Sequence, residues 1–279
     1  SVAGGRGDDT IRFASTAVGS GIIVYGDGLG TTTGSDVDGD DFITLSAATT
    51  SIGPISVYGG GGADTVGFRT GIAENASAVL IDGGINADFI GNTALTFTGA
   101  GDVTLQGGSG HDTVKFYMST TTAQLLGGNG FDSIFIGATG VALSATNANV
   151  SVNGGAGNDT IDMNGFDGTT ANALGGGITI NGGAGVDSIR LGTWTAATAG
   201  SSSCHNLGNV VYEAGDLVTF ENSNGAFAAT SLWVGSTQIY IMTAAAAFSA
   251  VNVAQNSAAG NISVFNNGGD LQIGISEND

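Results

Sequence analysis

Asp9, Asp41, Asp64, Asp88, Asp112, Asp132, Asp159 and Asp187 are spaced by 32, 23, 24, 24, 20, 27 and 28 residues, each within or closing a glycine-rich run. The unit reads Gly-Gly-x-Gly-x-Asp-x-aliphatic, and Gly154 to Ile161 is its cleanest copy. Glycines at the first, second and fourth positions admit backbone torsions closed to other residues, so carbonyl oxygens can turn to one side. If the chain coils with this period, one carboxylate per coil stacks on the next among those carbonyls. Oxygen ligands without imidazole or thiolate suit Ca²⁺, whereas Mg²⁺ prefers a tight octahedron and keeps its waters. The candidate ligand set is the eight Asp together with Gly5, Gly7, Gly60, Gly62, Gly108, Gly110, Gly128, Gly130, Gly155, Gly157, Gly183 and Gly185. A plain turn role, in which each Asp satisfies local backbone donors, accounts for neither the glycines nor the repetition.

The elements that must position these loops are legible on either side of them. Two positions after each Asp stand Ile11, Ile43, Val66, Ile90, Val114, Ile134, Ile161 and Ile189. Two positions before the glycine pair stand Val2, Val24, Val57, Ile81, Leu105, Leu125, Val152 and Ile180. Outer columns repeat the pattern, from Ile22 to Ile178 on one side and from Phe13 to Leu191 on the other, broken only at Asn92. Period-2 alternation of this kind marks strands with one buried face. A strand cannot satisfy its own backbone, so each strand–loop–strand unit needs a neighbour ~4.8 Å away. A repeat of 20–32 residues meets that need by stacking as a solenoid. The expected fold is all-β: a parallel β-helix or β-roll of eight to nine coils, with eight coils spanning roughly 40 Å. Calcium shared between adjacent loops would couple metal binding to coil stacking.

Composition narrows the partners. Five basic residues against 24 acidic ones give a net charge of −19. Nucleic acid and anionic membrane both need Lys and Arg, so neither is an expected partner. No apolar run is long enough to span a membrane. A single cysteine, Cys204, excludes an intrachain disulfide and a cysteine-based zinc site. The chain opens at Ser1-Val2, two positions before a Gly-Gly pair, as a processed form or fragment of something longer would.

The expected organisation is a calcium-binding solenoid over 1–192, a linker or surface loop over 193–208, and a degenerate coil with a β-rich cap over 209–279. Val218 and Phe220 keep the ladder positions of a ninth coil that lacks its glycine pair. Ser231 to Met242, Ala250 to Val253, Asn261 to Phe265 and Leu271 to Ile275 read as further strands. A cap of this kind covers the unpaired edge at the end of a solenoid.

The repeat resembles the RTX, or haemolysin-type, nonapeptide, a Ca²⁺-binding parallel β-helix motif. The resemblance implies calcium ligation at the loops Gly4–Asp9, Gly59–Asp64, Gly107–Asp112, Gly127–Asp132, Gly154–Asp159 and Gly182–Asp187. Gly83 to Asp88 departs, with Asn86 for the third glycine; Gly26 to Asp41 departs further, with Asp27 for a glycine and an insertion from Gly28 to Gly39. One motif per coil, rather than two, resembles the long-period repeats of bacterial surface-layer and large secreted surface proteins. It implies type I secretion and an extracellular or cell-surface location. The expected role is a non-enzymatic structural protein that self-assembles with copies of itself into a surface layer or filament. Cell-surface polysaccharide is a candidate second partner. The alternative is the C-terminal, calcium-folded module of a secreted enzyme, toxin or adhesin.

No catalytic constellation is expected. Cys204 and His205 adjoin, but neighbours on an extended segment point apart. His111 occupies a variable loop position, and Arg6-Gly7-Asp8, an integrin-type tripeptide, lies inside a calcium loop. A polysaccharide lyase or hydrolase would need paired acids, and the acids outside the motif are scattered. Trp194, Trp233, Tyr212 and Tyr240 fall to capping core ahead of a sugar platform.

Overall fold

A computed structural model describes residues 1–14, 21–28, 39–46, 53–68, 76–91, 96–97, 101–118, 122–137, 150–162, 178–191, 209–211, 217–220, 230–234, 237–241, 261–267 and 270–276. Among them the structure is all-β, a parallel β-solenoid with no helix. Each coil contributes one strand to each of two sheets, with the glycine corner between them. The first sheet runs Val2–Gly5, Ile22–Asp27, Ile55–Gly60, Ala78–Ile85, Asp102–Ser109, Ala123–Asn129, Val150–Ala156, Ile178–Ala184 and Asn209–Val211, in chain order. The second runs in the same order from Thr10–Ala14 to Leu217–Phe220.

Register follows the hydrophobic columns. Val24 pairs with Val57, Val57 with Ile81, Leu105 with Leu125 and Val152 with Ile180. Across the corner, Ile11 pairs with Ile43, Val114 with Ile134 and Ile161 with Ile189. A one-residue slip would turn each strand's apolar face to water, so the pattern pins the register. The interior is the result: Ile43, Leu45, Val57, Ile81, Leu105, Phe116, Leu125 and Ile134 are fully buried. Each such side chain contributes about 1.5–3 kcal/mol by leaving water.

Regular turns number about five rather than eight to nine. The corners 59–64, 107–112, 127–132, 154–159 and 182–187 keep three glycines and a buried Asp. The other turns depart for separate reasons. The first lies at the end of the stack, leaving Val2 42% exposed; the second holds the insertion; the fourth has Asn86. The ninth, which lacks the glycine pair, still pairs in register, Val210 on Ile180 and Val218 on Ile189.

Beyond it the parallel stack ends. Asp270–Ser276 adds to Leu217–Phe220 in the antiparallel sense and pairs in turn with Asn261–Asn267. This hairpin covers the edge of the second sheet. The stretch read as one strand from Ser231 is two, Thr230–Val234 and Thr237–Ile241, paired antiparallel. Thr96–Phe97 continues the second sheet after Phe89–Ile90, both pairing with Thr113–Met118. The candidate strand at 250–253 lies outside the described residues, as do Trp194, Cys204, His205 and Tyr212. No described helix is long and apolar enough to cross a membrane.

Candidate metal-binding corner

The glycine corners align in one row because the sheets on either side are in register. Gly60 pairs with Gly84, Gly84 with Gly108, Gly108 with Gly128, Gly128 with Gly155 and Gly155 with Gly183. The second and fourth glycines have φ between 78° and 153°, a range that side chains other than glycine rarely adopt. At Gly128, with φ 119°, a Cβ would run into the backbone carbonyl of Gly108 one coil before. The corner therefore needs glycine for torsion and for approach of backbone to backbone.

The carboxylates enter this row from inside. Asp41, Asp64, Asp88, Asp112, Asp132, Asp159 and Asp187 are at most 3% exposed. Each of these carboxylates accepts, through Oδ1, the backbone N–H of the motif Asp one coil earlier, always at 2.8 Å, beginning with Asp9 N–H to Asp41 and ending with Asp159 N–H to Asp187. The carbonyl of each Asp from Asp9 to Asp159 accepts the N–H that opens the next coil's second strand, as in Phe42 N–H to Asp9 and Ser188 N–H to Asp159, both 2.8 Å. Each such residue thus ties three coils, its side chain to the one before and its backbone to the one after.

The other oxygen is unsatisfied. Oδ2 of Asp9, Asp41, Asp64, Asp88, Asp112, Asp132 and Asp159 is buried without a hydrogen-bond partner. In each case it lies against the Cα of its own first glycine, where the carbonyl of the following coil's first glycine also converges. At Gly83, for instance, a Cβ would meet both Asp88 Oδ2 and the Gly107 carbonyl, the latter at 2.6 Å. A buried carboxylate oxygen without a donor is costly unless it is protonated or a cation reaches it.

Burial accordingly raises the carboxyl pKa values. Asp41 is pushed up to about 6, Asp64 to about 7 and Asp88 to about 8, chiefly by desolvation. The N–H donated from the preceding coil pulls each back down, and neighbouring carboxylates push it up again. Asp112, Asp132 and Asp159 are raised for the same leading reason.

Both departing corners join the row. Asn86 takes the fourth position with φ 78°, the one described non-glycine residue with positive φ, and Asp88 bonds normally on both sides. In the second coil the corner is assembled across the insertion. Gly39 occupies the fourth-glycine place, lying between Gly7 and Gly62. Asp27, in the second-glycine place, sends Oδ2 to the N–H of Gly61 at 2.8 Å.

A second ladder, not anticipated in the sequence, runs one residue before the motif Asp and in the opposite sense. Asp8 accepts from Asp40 N–H at 3.0 Å, Asp40 from Ala63 N–H at 2.7 Å, and Asn158 from Val186 N–H at 3.0 Å. His111 does the same through Nδ1 for Phe131 N–H at 2.8 Å and stacks on the Phe131 ring. Its sequence signal is short acceptor side chains at the variable fifth position. Asp8 of the Arg-Gly-Asp tripeptide is thereby engaged in coil-to-coil bonding.

Fold and corner together define a class, a two-sheet parallel β-solenoid with a buried aspartate ladder on one edge. No protein-family model, curated protein or solved structure matches the chain. Among the described residues, no three His, Cys, Asp or Glu side chains come together as a metal cluster. The donor set nonetheless fits a hard cation: one unpartnered carboxylate oxygen per corner, with the remaining ligands necessarily backbone carbonyls. Asp64, Asp88, Asp112, Asp132 and Asp159, with the carbonyls of their glycines, are the groups that would hold it.

Proposed function

We propose that the protein is a non-enzymatic, extracellular structural protein whose β-solenoid is stabilised by Ca²⁺ and assembles with copies of itself into a surface layer or filament. The observation that carries this reading is the row of buried, unpartnered Oδ2 atoms, each packed beside a glycine that a backbone carbonyl of the following coil also approaches. Bound calcium would supply the positive charge that lets these carboxylates stay ionised out of water. The chain's own contribution is the corner: glycines that bring carbonyls together, and an Asp whose Oδ1 is already committed to the neighbouring coil. Resemblance to the RTX repeat, with one motif per coil, supports calcium as the ion and secretion as the route.

The net charge of −19 supports calcium-dependent assembly, since like-charged subunits repel until cations intervene. The antiparallel hairpin at the end of the second sheet argues against simple end-to-end stacking of identical coils there. Contacts through the sides of the coils, bridged by calcium, fit better. Negative-stain electron microscopy and light scattering in millimolar calcium, with and without chelator, test the proposal. Ordered layers or filaments that dissolve on chelation are expected. Monodisperse monomers in calcium would remove the assembly claim, and melting unchanged by calcium would remove the metal.

A further inference from the structure

The outer face of the first sheet carries a trough of ≈ 770 Å³ beside the glycine corners. Its floor is the row of second glycines from Gly60 to Gly155, which place no side chain above the sheet. Four strand spacings separate those two residues, so the floor is roughly 20 Å long. One bank is the outward residue before each glycine pair, from Tyr58 through Asp82, Gln106 and Leu126 to Asn153; Ser109 and Asn129 stand on the other. Asp27 closes one end, rising where the other coils have a glycine. Beside it Tyr25 and Tyr58 stack with ring centres 5.3 Å apart.

We propose that this trough binds an extended, neutral polysaccharide. The lining includes the carboxylates of Asp27 and Asp82 and no Lys, Arg or His. Nucleic acid or a polyuronate would meet only repulsion there. An extended peptide gains affinity by pairing with a free sheet edge, but the trough lies on a face whose strands already pair on both sides. What the banks offer instead is amide and hydroxyl groups, able both to donate and to accept, as sugar hydroxyls require. They come from Tyr58, Gln106, Ser109, Asn129 and Asn153, on coils stacked ~4.8 Å apart, so they are spread along the whole floor as the hydroxyls of an extended chain of sugars are. Leu126, the tyrosine pair and the bare glycine floor provide apolar contact for the carbon faces of the rings. The inference rests on the stacked coils alone, whatever ion or assembly state accompanies them.

Titration calorimetry on the full chain with soluble β-glucan, xylan, mannan and galactan oligosaccharides, beside polygalacturonate and a Lys-rich peptide, tests it. At least one neutral glycan should bind. Gln106→Ala should weaken it about tenfold, the loss of one or two hydrogen bonds. Ser109→Trp, which fills the trough from an outward position, should abolish binding while leaving the melting temperature unchanged. Failure of all four glycans to bind, binding undisturbed by Ser109→Trp, or preference for polygalacturonate or the peptide would each overturn the proposal. Calcium-dependent melting measured on the same samples separates that failure from failure of the metal reading.

Discussion

Asp88→Asn should change the sign of its effect with calcium. Asp88 is buried, and its carboxyl pKa is pushed from 3.8 to about 8, mainly by desolvation. Without metal at pH 7 the folded chain keeps this group largely protonated, whereas the unfolded chain ionises it. At about 1.4 kcal/mol per pH unit between 3.8 and 7, that difference costs the fold about 4 kcal/mol. Asparagine carries no such cost. It retains an oxygen to accept the Asp64 N–H, now at 2.8 Å, and places an amide donor toward the Gly107 carbonyl. In chelator, Asp88→Asn should therefore stabilise by a few kcal/mol, with about 4 as the ceiling. In saturating calcium the same change removes an anionic ligand from the sites on both sides of its corner. At a hundredfold excess over Kd each site contributes about 2.7 kcal/mol, so a loss of about 3–5 kcal/mol is expected. Urea unfolding at pH 7 in EDTA and in millimolar CaCl₂ reads both. Destabilisation of equal size in the two buffers would show that the carboxylate acts only as a hydrogen-bond acceptor, and the calcium argument would fail.

The metal-free chain should be most stable in acid. Because Asp41, Asp64 and Asp88 have folded pKa values of about 6, 7 and 8, raised above the ordinary 3.8, their contribution is complete below about pH 4 and is lost as pH rises through 8. Melting temperatures in EDTA should fall across that window, and calcium should flatten or reverse the trend; a metal-free optimum near pH 7 would refute it. Asn86→Gly should stabilise by about 0.5 kcal/mol, since Asn86 holds φ 78° in a place every regular corner gives to glycine. Chemical denaturation resolves the difference, and a loss of stability would mean that the Asn86 side chain is needed.

Much of the molecule was legible in the chain because solenoid geometry turns sequence period into spatial alignment. Residues at equal offsets from the motif become cross-strand partners, so reading Val57, Ile81 and Leu105 as one column amounts to reading the register. The same logic carried the row of Asp; the antiparallel sense in which Asp270–Ser276 joins the last coil is decided only by the structure. Reading failed where the period is interrupted. Asp27 and Gly39 are separated by an insertion, yet the corner closes across it, because pairing with the coils on either side dictates which residues fill each place. The stretch from Ser231 to Met242 reads as one strand because apolar residues stand on both sides of Gly235-Ser236 and no Asn-Gly or Asp-Gly pair marks a turn, whereas Thr230–Val234 and Thr237–Ile241 pair as two.

From sequence alone come the all-β class, the two faces of each strand, and the corner's glycines with one carboxylate each. These follow from residue type and spacing, which torsion limits and hydrophobic burial translate directly into structure. Only the tertiary structure decides how the two oxygens of each Asp are used. Oδ1 is bound to the previous coil and Oδ2 is left buried against a carbonyl, a division set by the rise between coils and the path of the backbone at the corner. The opposed ladder of Asp8, Asp40, His111 and Asn158, and the trough over the glycine floor, likewise exist only once coils are stacked, since their members lie twenty or more residues apart in the chain.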